Sequence, residues 1–226
     1  MRHLLIEIST ALTAIFSFGI GIFSIARRYK SKVIVLWFFY TMAVAIWSAG
    51  YLISINSPTN EIAYLGLKIV YFGATLIPIV FFHFIATFLL KHKKYNFLIW
   101  AGYLLAAVFL VLIEATKYII SGAKYMENFG RYEEVEAAGF YSFLLYFLFY
   151  SLFGTYLLIK EYGVSTGIKK RQVFYMILAS AFGFIGGISN FVADLTGIYP
   201  YGQMIVWLYP VFIAYGVFMD EIKIKF

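Results

Sequence analysis

The stretch Ile62–Lys94, IAYLGLKIVYFGATLIPIVFFHFIATFLLKHKK, decides how this chain folds. Its apolar part runs from Ile62 to Leu90 with a single charge, Lys68, and then stops at Lys91-His92-Lys93-Lys94. An apolar helix needs roughly 20 residues to cross the hydrocarbon core of a bilayer, and this run is longer. Membrane-spanning strands are about half that length and alternate apolar with polar, so the reading is a transmembrane helix. Six similar runs surround it, giving spans at about 4–26, 33–55, 62–90, 96–113, 138–159, 172–195 and 203–219. The first is too long for a signal peptide, and no small-residue cleavage site follows it. The second stops at the turn signal Asn56-Ser57-Pro58.

Composition points the same way. Of the 226 residues 63% are hydrophobic and 13% charged, against about half and a quarter in soluble domains. A soluble fold of this size could not cover its surface with so few charges. The expected fold class is therefore all-α: a polytopic bundle of seven transmembrane helices forming one domain over 1–226, embedded in the lipid bilayer of the cell membrane. The formal net charge of +7 does not argue for nucleic acid, because the bases sit in short clusters between apolar runs. Cysteine is absent, which excludes disulfides and thiolate chemistry.

Basic residues in short loops set orientation. The clusters at 27–32, 91–94 and 160–171 and the tail at 223–225 fall on one side of a seven-span topology. The opposite side carries few bases, and its long connection, Glu114–Ala137, is acidic. The N-terminus is therefore expected outside and the C-terminus in the cytoplasm. That connection is too small for an independent domain and has room for a short hairpin or an interfacial helix.

Ionisable groups inside spans are costly and are the first place to look for function. Glu7, Lys68, Asn190 and Asp194 fall at similar outer depth on three helices. They are candidates for a salt-bridged pocket open to the outside, or for packing glue with Lys68 snorkelling to the headgroups. Trp47 and Tyr51 on the second helix, and Tyr199, Tyr201 and Trp207 at the start of the seventh, suit either an interfacial belt or an aromatic-walled ligand pocket, with Gln203 as a polar contact. Pro78 and Pro210 are candidate hinges or static kinks. Ala179, Gly183 and Gly187, four apart, are a candidate packing face, inside the bundle or at a homodimer contact. His83 has no ligand partner at helical spacing, so it reads as a hydrogen-bonded core histidine and no metal is expected.

No HExxH, GxSxG, phosphate-binding loop or paired intramembrane aspartate occurs, so no catalytic residue is nominated and an enzyme is not expected. The seventh run lacks a lysine, which disfavours a retinal-type pigment. No cofactor is expected.

Several stretches carry a resemblance: Trp47 to Tyr51, PIVFFHF at 78–84, KKRQVFYMILASAFGFIGGISNF at 169–191, GIYPYG at 197–202 and YPVFIAYGV at 209–217. The chain resembles the N-terminal seven-transmembrane sensor region found ahead of bacterial histidine kinases and diguanylate cyclases. The resemblance implies a sensory module that binds an unknown small-molecule or lipid ligand and signals to a cytoplasmic partner, a histidine kinase or similar output. The output domains that typically follow in that family do not follow the seventh run here, which suggests a sensor without an attached output or a fragment of a longer kinase. The alternatives are a small transporter, which the lack of an internal repeat weakens, and a non-catalytic scaffold subunit.

Overall fold

The computed structural model describes residues 2–127 and 129–222, with side chains at 4–127, 129–193 and 196–216. The lysines of the tail, Lys223 and Lys225, lie outside the described residues, as does the side chain of Asp194. The helices are α1 (Arg2–Arg28), α2 (Lys32–Ile55), α3 (Asn60–Phe88), α4 (Asn96–Ala115), α5 (Phe140–Val164), α6 (Gly167–Thr196) and α7 (Tyr209–Ile222). Between α4 and α5 stands an antiparallel hairpin, β1 (Ile120–Met126) and β2 (Arg131–Glu136).

Six of the helices, α1 to α6, are long and apolar enough to cross a membrane. The protein is a multi-pass integral membrane protein. Its outer surface has the character that lipid requires: on α4, Phe97, Trp100, Leu104, Val108 and Val111 recur at three- and four-residue spacing and are all exposed. An apolar stripe of this kind on a soluble monomer would be an aggregation site.

The seventh run departs from the expectation of a continuous α-helix. Residues Tyr201–Leu208 form a 3-10 helix, and α7 begins only at Tyr209. Pro210 thus falls in the first turn of α7, where a missing N–H is tolerated, so it breaks no helix interior. Pro78 does sit inside α3.

Helix α3 is the spine. Of its most apolar stretch 78% is buried, against 28% for α4 and 33% for α1. The α2–α3 contact is made by glycines. A Cβ on Gly50 would lie 2.5 Å from the Val70 nitrogen, one on Gly66 2.6 Å from the Ser54 nitrogen, and one on Gly73 2.6 Å from the Trp47 nitrogen. Small residues let membrane helices bring backbones together, and here they do so between α2 and α3. On α6 the close approach uses Gly186 against Val206 and Gly202, whereas Gly187 has nothing within 4 Å of an added Cβ and Gly183 meets only the Tyr209 side chain, at 3.5 Å. Ala179 is buried. Gly183 and Gly187, expected with Ala179 as a packing face, border a cavity.

Two latches hold one end of the bundle. Lys91 donates to Glu161 at 2.6 Å, and Lys169 donates to the Phe88 carbonyl at 3.2 Å with its ammonium 3.7 Å from the Phe88 ring centre. The connections α3–α4 and α5–α6 are thereby at the same end. The hairpin closes the other end, with the Tyr64 hydroxyl donating to the Ile120 carbonyl at 3.2 Å and Phe129 meeting Tyr199 at 5.9 Å between ring centres.

Candidate functional site

Beneath the hairpin lies a cavity of about 50 Å3 between α2, α3, α5, α6 and the start of α7. On α2, Tyr40, Val44, Trp47 and Tyr51 are spaced four, three and four apart, which puts them on one helix face. They form one wall, and Val70, Tyr71, Ala74 and Ile77 of α3 form the next. Gly183, Gly187 and Asn190 of α6 lie opposite, where the missing side chains of the two glycines leave the space open. Tyr209 closes the deep end, its ring 5.8 Å from that of Tyr40 and its hydroxyl 2.8 Å from the Ser17 hydroxyl on α1. The Trp47 and Tyr51 rings stack at 5.9 Å and 10°.

The roof is strand β2. Alternation along a strand puts residues i and i+2 on one face, so Arg131 and Glu133 both turn inward and are buried. The Arg131 Nε donates to Glu133 Oε1 at 2.5 Å, and its terminal nitrogen pairs with the same oxygen. The guanidinium carbon lies 5.4 Å from the Tyr51 ring centre, 5.5 Å from Phe129 and 5.8 Å from Tyr199, inside cation–π range. Burial pushes the Glu133 carboxyl above its ordinary range, the Arg131 charge pulls against this, and Glu134 adds to it. Glu134 accepts a hydrogen bond from the Tyr71 hydroxyl at 2.7 Å. Glu133 and Glu134 both border the cavity.

A directional chain of hydrogen bonds leaves the cavity. The Tyr51 hydroxyl donates to Asn190 Oδ1 at 3.5 Å, Asn190 Nδ2 donates to Gln203 Oε1 at 3.1 Å, and Gln203 Nε2 donates to the Thr10 hydroxyl at 3.3 Å. The Ser9 hydroxyl donates to the Gln203 carbonyl at 2.7 Å. Gln203 is fully buried. The chain therefore ties α2, α6 and α1 to the 3-10 segment that feeds α7.

Of the residues nominated from sequence, Trp47 and Asn190 line the cavity and Gln203 stands directly behind Asn190. Trp207 instead meets Phe16 on α1, at 6.3 Å. Lys68 donates to the Glu114 carbonyl at 3.0 Å, pairs with its carboxylate at 3.7 Å and lies over Tyr64. It bridges α3 and α4 at their hairpin side and does not line the cavity. Glu7 is half-buried on α1 and is not part of the lining either. His83 shares a hydrogen bond with the Tyr103 hydroxyl at 3.0 Å between α3 and α4.

Sequence reasoning missed Arg131, Glu133 and Glu134. They lie in a connection whose composition reads as solvated. The available signal was the i, i+2 pairing of opposite charges in the eight-residue stretch between Gly130 and Gly139, which a strand would place on one face.

The family described as the N-terminal 7TM region of histidine kinase matches residues 9–222. The chain belongs to this family. No curated protein matches the chain significantly. The match takes in every cavity-lining residue, the roof and the hydrogen-bond chain. Membership in the histidine kinase 7TM family thus covers the membrane region of a sensor kinase and not a kinase catalytic domain.

Proposed function

We propose that the chain is a single membrane-embedded sensory domain of seven spans, N-terminus outside, in which occupancy of the roofed cavity is passed through α7 to a cytoplasmic kinase or similar output. Family membership supports the sensory class. The observation that carries the specific reading is the hydrogen-bonded path from cavity-lining Tyr51 and Asn190 to Gln203, at the start of the segment leading to α7.

The seventh span is supported by length. Eight residues of 3-10 helix followed by fourteen of α-helix extend about 37 Å at ~2.0 and ~1.5 Å per residue, beyond the ~30 Å hydrocarbon core. Orientation is supported by charge: the latched end carries Lys91, Lys93, Lys94, Lys169, Lys170 and Arg171, while the hairpin end is acidic. The response requires two bundle packings separated by a few kcal/mol and a stimulus that prefers one.

The test is hydrogen exchange of residues 209–216 in lipid nanodiscs, comparing wild type with Asn190→Leu and Trp47→Leu. A change in α7 with α4 unaltered is the expected result. Exchange in α7 identical across all three proteins refutes the coupling. Reporter fusions at 91–94 and 124–127 check the orientation, and an exterior 91–94 refutes it.

A further inference from the structure

We propose that the cavity takes a small organic cation, its charge seated between the Glu134 carboxylate and the rings of Trp47, Tyr51 and Tyr71. This rests on the sensory reading above and adds the chemical class of its ligand.

Charge at the roof comes first. Two carboxylates and one guanidinium border or cover the chamber; the guanidinium pairs with Glu133 through Nε and one terminal nitrogen, while its other terminal nitrogen is buried without a hydrogen-bond partner among the described residues. Glu134 has only the neutral Tyr71 hydroxyl as its partner among the described residues. The nearest lysine on the facing strand, Lys124, is opposite Glu133, while Ala123 is opposite Glu134. The Glu134 carboxylate, with no cation paired to it among the described residues, therefore overlooks a chamber whose other walls are mostly apolar. In such surroundings the attraction to a cation is stronger than in water, and an anion is repelled.

The walls supply the second half of a cation site. Tyr40, Trp47, Tyr51, Tyr71 and Tyr209 all line the cavity, and aromatic rings attract ammonium and guanidinium groups through their quadrupoles. The roof contains a built example of this chemistry. Arg131 sits within 5.4–5.8 Å of three ring centres with a carboxylate alongside. Tyr51 belongs to both arrangements, being a partner of Arg131 and a wall of the cavity.

Size restricts the ligand. A volume of about 50 Å3 accommodates several waters, at roughly 10–15 Å3 each on this measure. That suits an alkylammonium head of a few atoms and not a lipid chain.

The experiment is saturation binding of radiolabelled choline to the chain in nanodiscs, competed by tetramethylammonium and by 3,3-dimethyl-1-butanol, the neutral isostere of choline. Saturable binding is expected, competed by tetramethylammonium and at least tenfold less well by the neutral isostere. Glu134→Gln, which keeps an acceptor for Tyr71, is expected to weaken binding at least tenfold. Tyr71→Phe, which keeps ring and carboxylate, is expected to retain binding, and Trp100→Leu on the lipid-facing side of α4 to leave it unchanged. Melting curves matching wild type establish that each variant is folded. Equal competition by the isostere, wild-type affinity in Glu134→Gln, or no saturable binding of either cation overturns the inference. If those failures occur while α7 still responds to Asn190→Leu, the cation class falls and the sensory reading stands. Cation binding with an α7 indifferent to both ligand and cavity substitutions refutes the sensory reading instead.

Discussion

Gly73→Ala tests whether the α2–α3 contact sets the shape of the cavity. The added Cβ would meet the Trp47 nitrogen at 2.6 Å, the Ala43 carbonyl oxygen at 2.7 Å and the Trp47 Cα at 2.8 Å. All three are backbone atoms, so no side-chain rotation relieves the clash. Reaching an ordinary contact of about 3.5 Å requires the helices to part by close to 1 Å, and a gap of that size forfeits about a quarter to a half of each neighbouring contact. Overpacking of this kind costs about 1–3 kcal/mol, offset by the ~0.5–1 kcal/mol that alanine gains over glycine within a helix. The net expectation is a loss of about 1–2 kcal/mol, a factor of roughly 5–30 in the unfolding equilibrium. Gly163→Ala is the control. No atom lies within 4 Å of its Cβ, so it should stabilise by about 0.5–1 kcal/mol. Both are measured by reversible unfolding from mixed micelles with sodium dodecyl sulfate, followed by far-ultraviolet circular dichroism. Because the displaced atoms belong to Trp47, Gly73→Ala should also weaken choline binding. A Gly73→Ala protein as stable as Gly163→Ala, with unaltered binding, would refute the reasoning.

Other outcomes follow from the roof and the polar chain. Arg131→Met leaves Glu133 buried without its counter-charge, which costs on the order of 3 kcal/mol. Hydrogen exchange of residues 120–126 and 131–136 should accelerate accordingly, and Arg131→Met combined with Glu133→Leu should restore most of the protection. Gln203→Leu removes bonds to Asn190 and Thr10; at about 0.6 kcal/mol for an average interhelical bond and up to ~1.7, a loss of roughly 1–3 kcal/mol is expected in the same micelle titration. The raised Glu133 carboxyl binds its proton more tightly in the folded state than in the unfolded one. Its contribution to stability is therefore present below the ordinary carboxyl range and lost as pH rises through the elevated folded value. The groups facing it are Arg131, Glu134 and, across the strands, Lys124. Thermal midpoints taken from pH 4 to pH 8 should fall with pH more steeply in wild type than in Glu133→Gln, and parallel curves would contradict this.

Much of the architecture was legible in the sequence because lipid imposes a simple rule on it. Runs such as Ile62–Leu90 and Val33–Ile55 must be helical to satisfy their own backbone groups, and the observed α3 and α2 follow them to within a few residues. The seventh run was misread because an apolar pattern over 203–219 does not distinguish a 3-10 helix from an α-helix. That distinction is set by the packing of Gly202 and Val206 against Gly186. The site was legible in part. Trp47, Asn190 and Gln203 announced themselves as aromatic or polar groups inside spans. Lys68 did so equally, yet it turns to Glu114, because which helices are neighbours is a long-range fact that no local pattern carries. The roof was hidden for the opposite reason: charges in a connection ordinarily face water, and only the hairpin register turns Arg131 and Glu133 inward.

The 3-10 segment Tyr201–Leu208 has a mechanical consequence. Runs of this helix beyond three or four residues are uncommon, and this one joins the polar chain at Gln203 to the first turn of α7. Rewinding its eight residues as α-helix would shorten the segment by about 4 Å and turn whatever follows by some 160°, from the difference in rise and residues per turn. Under the proposed response, such a change of pitch between the chamber and the far membrane face would turn a small displacement at the Gln203 amide into axial travel and rotation of α7.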